Sequence, residues 1–278
     1  MKKKTTLLLT LIALLATGSL SYDAVAQTLA EGGASMTNVT CRPGPFYTLI
    51  FYDQSASTKN YASAQKMFAD SLETVINRRL TCKGDLLQLF LVHEKTRGRA
   101  YWKDAPCPVE PVDLTTLPRR RKNMAKIQYD SAIQAFRAET NTTLKTFMDD
   151  SPIAPGLAGH TDLLGTLEVI NEMLKRAPKD MQVTIYYLSD MFESMNGAGR
   201  RDFDRRPPTS RTEAEAWAKK DVALVRAGMD VDESRFRNVQ IRVLLGELTN
   251  KNHALEVQHY WQQVFALIGF QPQNIRYN

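Results

Sequence analysis

Four short apolar runs, set apart by stretches of helical periodicity, restrict what this chain can fold into more than any other feature. They are Phe46–Tyr52, Leu86–His93, Gln182–Leu188 and Val239–Leu245, the first of them rich in β-branched and aromatic residues. That first run, apolar on both faces, suits the centre of a parallel sheet covered by helices. Between them lie amphipathic segments: Tyr61–Leu80, with Met67, Phe68, Leu72, Val75, Ile76 and Leu80 at helical spacing, then Leu163–Leu174, Thr212–Met229 and Ala254–Ile268. A further helix, long and polar, opens at Arg119 and reaches about Met148 with a thin apolar face. Arg99–Lys103 and Asn274–Tyr277 read as short edge strands. Strands alternating with helices predict an α/β fold: a doubly wound, mainly parallel central sheet with helices on both faces.

The chain opens Met1-Lys2-Lys3-Lys4, runs apolar from Leu7 to Leu15 and reaches Ala24-Val25-Ala26 before Gln27. That is the pattern of a cleaved secretory signal, and its apolar core is short for a membrane span. The expected organisation is a signal over 1–26, a small polar leader over 27–45, and one domain over 46–278 with a long helical insertion around 119–150. The expected location is periplasmic or secreted, in a bacterial setting, with no integral membrane segment in the mature chain. The formal charge of +6 falls to +4 once Lys2, Lys3, Lys4 and Asp23 are removed, too mild to argue for nucleic acid. Three cysteines, Cys41, Cys82 and Cys107, lie beyond the signal. One disulfide with one thiol left over is the simplest arithmetic in an oxidising compartment. Cys82 with Cys107 is the favoured pair, because both flank one expected hairpin; free buried thiols are the alternative.

Asp53-Gln54-Ser55-Ala56-Ser57 leaves the carboxyl end of the first strand, where open α/β sheets place their ligands. A carboxylate and two hydroxyls at alternate positions can turn toward one point and form part of the oxygen shell of a hard cation. Alone, the same residues serve equally well as a turn and a helix N-cap. Two further segments add to them. Gly159-His160-Thr161-Asp162 places a hydroxyl and a carboxylate just before a helix, and Tyr186-Tyr187-Leu188-Ser189-Asp190 puts an acid at the end of another buried strand. In a parallel sheet all three loops rise from the same edge.

Taken together, Asp53-x-Ser55-x-Ser57, the Gly159-His160-Thr161-Asp162 loop and the Ser189-Asp190-Met191 turn resemble the metal-ion-dependent adhesion site of von Willebrand factor A domains, a Rossmann-like fold shared with integrin inserted domains. The resemblance covers Tyr47 to Ile268, with Met191 standing where the family pattern has Gly. It implies that Ser55, Ser57 and Thr161 offer hydroxyls to a divalent cation, Mg before Mn or Ca, with Asp53 and Asp190 acting directly or through water. An open position would then take an Asp or Glu of a protein partner.

Downstream, Arg200, Arg201, Arg205 and Arg206 occupy a basic loop close to this edge, read either as a steering surface for an acidic partner or as a solvated loop partly neutralised by Asp202 and Asp204. Arg119 to Lys122 carries no interleaved aromatic platform for nucleic acid. No Cys-x-x-Cys or His-x-x-x-His spacing suggests zinc, and Gly-x-Ser-x-Gly is absent. The functional expectation is an exported, non-enzymatic adhesion or scaffolding module. A metal-assisted hydrolase using the same oxygen ligands, or a purely structural subunit, are the alternatives.

Overall fold

In a computed structural model of the protein, the structure describes residues 44–55, 62–153, 159–179, 181–196, 200–244 and 253–277. The expected signal, most of the leader, Ser57 and Cys41 lie outside them. The chain divides into Met1–Asn38 and Val39–Asn278, and every described residue belongs to the second unit.

Six strands form one sheet in the order β3-β2-β1-β4-β5-β6. They are β1 (Phe46–Asp53), β2 (Leu86–Val92), β3 (Tyr101–Pro106), β4 (Gln182–Leu188), β5 (Gln240–Leu244) and β6 (Ile275–Tyr277). Only the β2–β3 pairing is antiparallel; the others are parallel. The helices are α1 (Ala62–Arg79), α2 (Arg119–Asp149), α3 (Leu163–Arg176), α4 (Arg211–Ala227), α5 (Glu233–Phe236) and α6 (Ala254–Ile268). This is the doubly wound α/β fold expected from the alternation of strands and helices.

Strand β1 is buried along all eight of its residues, and alternate side chains supply two cores. Leu49 and Phe51 face one side with residues of α3, α4 and α6, while Ile50 and Tyr52 face the other with Phe68 and Leu72 of α1 and Ile133 and Leu144 of α2. Phe51 is sandwiched between Phe90 of β2 and Tyr187 of β4, with ring centroids 5.2 Å apart on each side. These stacked rings hold β2, β1 and β4 in register just beneath the loops that carry Asp53 and Asp190.

The edge strand β3 begins two residues later than its periodicity suggests and runs on to Pro106. His93 is the cause. Its Nε2 bonds the Arg99 carbonyl at 2.8 Å, its Nδ1 accepts from the Lys95 amide, and Thr96 caps its backbone. The turn is therefore longer than a tight hairpin.

The expected Cys82–Cys107 disulfide is not formed: Cys107 is a free, buried thiol. Cys82 is disulfide-bonded, to a partner outside the described residues. Hairpin proximity does bring Cys107 beside the Cys82–Asp85 turn, but it is spent on backbone pairing, the Cys107 amide donating to the Asp85 carbonyl at 2.8 Å. Burial pushes the Cys107 thiol above its ordinary pKa.

Candidate metal centre

Because β1 and β4 are parallel neighbours, Asp53 and the Ser189-Asp190 pair emerge side by side at the carboxyl edge of the sheet. Asp53 is fully buried. Its Oδ1 accepts from the Ser55 amide at 2.9 Å and from Thr161 Oγ1 at 3.4 Å, and its Oδ2 accepts from Ser189 Oγ at 2.8 Å. The Ser55 hydroxyl also bonds it. Asp190, nearly buried, accepts at Oδ1 from the Phe192 amide at 2.9 Å, which fixes its rotamer. Asp53, Ser55, Thr161 and Asp190, drawn from three loops, are thus brought together. Ser57 lies outside the described residues.

Burial first, and the neighbouring Asp190 carboxylate second, push Asp53 up to about 6, against the lowering effect of its hydrogen bonds. A buried carboxylate beside a second one is stabilised by a proton or by a nearby cation. Among the described residues no group of three or more His, Cys, Asp or Glu side chains could hold a metal ion. What converges is a mixed set of two carboxylates and several hydroxyls, without thiolate or imidazole. That chemistry fits a hard, oxygen-seeking cation and not a soft one.

Around this set lies a second layer that sequence reasoning did not assign. Ser189 does more than mark a turn, since its hydroxyl donates to Asp53 and accepts from the Met191 amide at 2.9 Å. Met191 adopts φ 62°, the left-handed region, so the turn keeps the backbone shape that Gly supplies in the family pattern. Its carbonyl accepts from Trp261 Nε1 of α6 at 2.7 Å. Gln54 donates from Nε2 to the Met148 carbonyl at the end of α2, 2.8 Å away.

The Thr161 loop is tied to the segment after Asp190. Thr161 donates its amide to Ser194 Oγ at 2.9 Å, and Ser194 returns its own amide to the Thr161 carbonyl. Glu193, fully buried, receives the Leu163 and Leu164 amides at the start of α3, and Arg200 bridges it to Asp162. Burial raises Glu193 to about 7, Arg200 pulling the other way. Asp162 caps α3 through the Gly165 amide at 2.7 Å. A Cβ on Gly165 would come within 2.3 Å of Asp162 Oδ2, so this close approach requires glycine.

The four arginines of the basic loop divide. Arg200 is spent on Asp162 and Glu193. Arg201 forms a two-pronged pair with buried Asp221 at 2.7 and 3.0 Å and stacks over Trp217. Arg205 has a side chain 79% exposed and pairs with Asp202 at 3.3 Å, and Arg206 sits over the Trp217 ring. Arg205 and Arg206, with Phe192, Phe203, Asp204 and His253, line a hollow of about 430 Å³. No spacing rule could have singled out the bonds of Gln54 to Met148, Glu193 to Leu163 and Trp261 to Met191, which join residues 94, 30 and 70 positions apart.

No protein-family model matches the chain, and no curated protein matches it. Solved structures do. The pilus adhesin SpaC from Lactobacillus rhamnosus GG, in its open conformation, aligns at 12% identity and a TM-score of 0.41, over 87% of this chain and 28% of its own. BatB, a conserved hypothetical protein from Bacteroides thetaiotaomicron, aligns at 13% identity and a TM-score of 0.37, over 84% of this chain and 88% of its own. Proximal thread matrix protein 1 from the mussel byssus, described with a zinc-occupied MIDAS motif, aligns at 12% identity and a TM-score of 0.35, over 86% of this chain and 44% of its own. The chain spans less than half the length of the adhesin and of the matrix protein.

Proposed function

We propose that this protein is an exported, metal-dependent protein-binding module in which Asp53, Ser55, Ser57, Thr161 and Asp190 hold one divalent cation. The observation that carries the reading is the convergence of Asp53 and Asp190 with the Ser55 and Thr161 hydroxyls at the carboxyl edge of the sheet, with Asp53 raised to about 6 by burial and by its neighbour. Ser57 enters through the sequence resemblance alone. Mg is the first choice and Mn or Ca the next, since every donor is a hard oxygen.

Bound there, the cation would supply an open coordination position for an Asp or Glu of the partner. The chain's own residues do the rest. Ser189 and the Ser55 amide orient the Asp53 carboxylate, the Phe192 amide orients Asp190, and the Thr161 loop is fixed by Ser194. Arg205, with a side chain 79% exposed, is placed to attract an acidic partner at long range, with Arg206 beside it at the hollow. Arg200 and Arg201 serve this reading indirectly, by holding the loop.

Titration with Mg, Mn and Ca should raise the melting temperature of the wild type. A ligand at one hundred times its Kd stabilises a fold by roughly 2.7 kcal/mol. Asp53→Ala should abolish the response, and Thr161→Ala should weaken it. Equal shifts in wild type and Asp53→Ala would falsify the site. Capture of partners from the producing cell should be lost in chelator, and chelator-resistant partners would remove the metal from the binding mechanism.

A further inference from the structure

Helix α2 carries a second surface that the metal site does not use. Its inward face is fixed by Ile133, Leu144 and Met148 in the core, by the Arg137 Nε bond to the Leu80 carbonyl at 2.8 Å and by the Tyr129 hydroxyl on the Thr81 carbonyl. What it turns to solvent is therefore set. Arg120, Met124, Ile127, Ser131, Ala135 and Ala138 follow one another at steps of three or four residues, and all are exposed. They form a single acid-free strip about 27 Å long. Met124 and Ile127 are 57% and 48% exposed, two of the five large apolar side chains that stand out in water among the described residues.

The charge around the first half of this strip has one sign. Arg119, Arg120, Arg121, Lys122 and Lys126 come before the first acid of the helix, Asp130, and over its whole length seven cations face three acids. None of those five cations forms an ion pair within 4 Å among the described residues; Lys122 reaches only the Thr115 carbonyl. Exposed apolar side chains set among unpaired cations on a rigid helix match an interfacial helix, whose apolar residues enter the headgroup boundary while Lys and Arg meet its phosphates. Nucleic acid fits less well, because the nearest ring, Tyr129, points inward and leaves no stacking platform.

We infer that the outward face of α2 is a peripheral docking surface for anionic lipid headgroups. The charge complementarity is direct: a helix with a net charge of +4, and a bilayer surface that is negative. This inference is independent of the metal site and is tested in chelator.

The full chain is mixed with vesicles of phosphatidylglycerol and phosphatidylcholine, and with phosphatidylcholine alone, at low and at physiological salt. Any contribution of residues 7–15 is common to all variants and is read from the zwitterionic baseline. Binding should favour the anionic vesicles and weaken with salt. Arg120→Gln, Arg121→Gln and Lys122→Gln together should lower it by at least about tenfold, since each cation near such a surface contributes on the order of 1 kcal/mol. Met124→Ser with Ile127→Ser should lower it at constant charge. Ala135→Glu with Ala138→Glu should do so too, while keeping good helix formers and leaving the core untouched.

Indifference to lipid charge, or unchanged anionic binding in all three variants, overturns the inference. So does a concentration-dependent dimer, seen without vesicles and lost in Met124→Ser with Ile127→Ser, which would mean that a second copy covers this face. Tighter binding of polyglutamate than of anionic vesicles would equally overturn it, in favour of an acidic polypeptide. Unchanged circular dichroism and melting in the variants separate loss of binding from loss of fold.

Discussion

Met191 holds two opposing costs in one residue. Its φ of 62° is a conformation that L side chains adopt at roughly 1–2 kcal/mol, yet its side chain is 1% exposed within the main core, where truncating a large residue costs about 2–5 kcal/mol. Packing wins, so Met191→Gly should destabilise the protein by about 2 kcal/mol in denaturant unfolding, although it restores the residue expected of such a turn. A stabilised Met191→Gly would show that backbone strain dominates. His93 poses a question of pH. Burial holds its imidazole below the ordinary 6.5, and its bonding suits the neutral ring, Nδ1 accepting from Lys95 and Nε2 facing the Arg99 carbonyl. On acidification the unfolded chain takes up a proton near 6.5 while the folded ring resists, so this group removes stability as pH falls through 6.5, by at most about 1.4 kcal/mol per unit. Asp53 and Glu193, with raised values, act in the opposite sense, so the contribution of His93 is read as a difference. Stability measured from pH 7.5 to 5.5 should fall less steeply, or rise more, in His93→Gln than in the wild type.

At the level of elements, the strands and helices were legible because burial leaves a period in the sequence. Fully buried β1 reads as an unbroken apolar run, and α3 begins and ends within two residues of its apolar pattern. The edge strand was misplaced because a buried histidine, not turn chemistry, sets the length of its loop. Helix α3 also shows how an element start serves the site. Its N-cap Asp162 bonds the Gly165 amide and also receives the Arg97 amide at 3.2 Å and Arg200. Gly165→Ala gains about 1 kcal/mol of helix propensity but drives a Cβ into the Asp162 carboxylate. The expected outcome is a net loss of about 1–3 kcal/mol in stability and a weaker thermal response to Mg, because Thr161 is the next residue. A neutral or stabilised variant would mean that Asp162 can move without disturbing its loop.

For the whole molecule, the chemistry at the carboxyl edge of the sheet could be anticipated from residue types, since parallel strands deliver their loops to one edge whatever the details. The cross-links between those loops could not, because a bond such as Glu193 to Leu163 depends on how distant segments meet and leaves no local spacing to read. The cysteines show the same limit: sequence proximity proposed Cys107 as a partner, and the fold buries it as a thiol. In the non-reduced protein, Cys107 should resist alkylation until denaturant is added, and peptide mapping should join Cys82 to the peptide carrying Cys41, the remaining cysteine of the sequence. Labelling of native Cys107 would contradict its burial. The bond from Gln54 to the Met148 carbonyl has a mechanical reading as well. Asp53 is followed at once by a residue clamped to the far end of a helix some 45 Å long, so a tug along that rod also reaches the backbone beside the carboxylate. A protein held by one face of α2 and loaded at the carboxyl edge of its sheet would carry part of the tension through the Gln54 amide, beside the packing of Ile133 and Leu144 and the Arg137 and Tyr129 bonds.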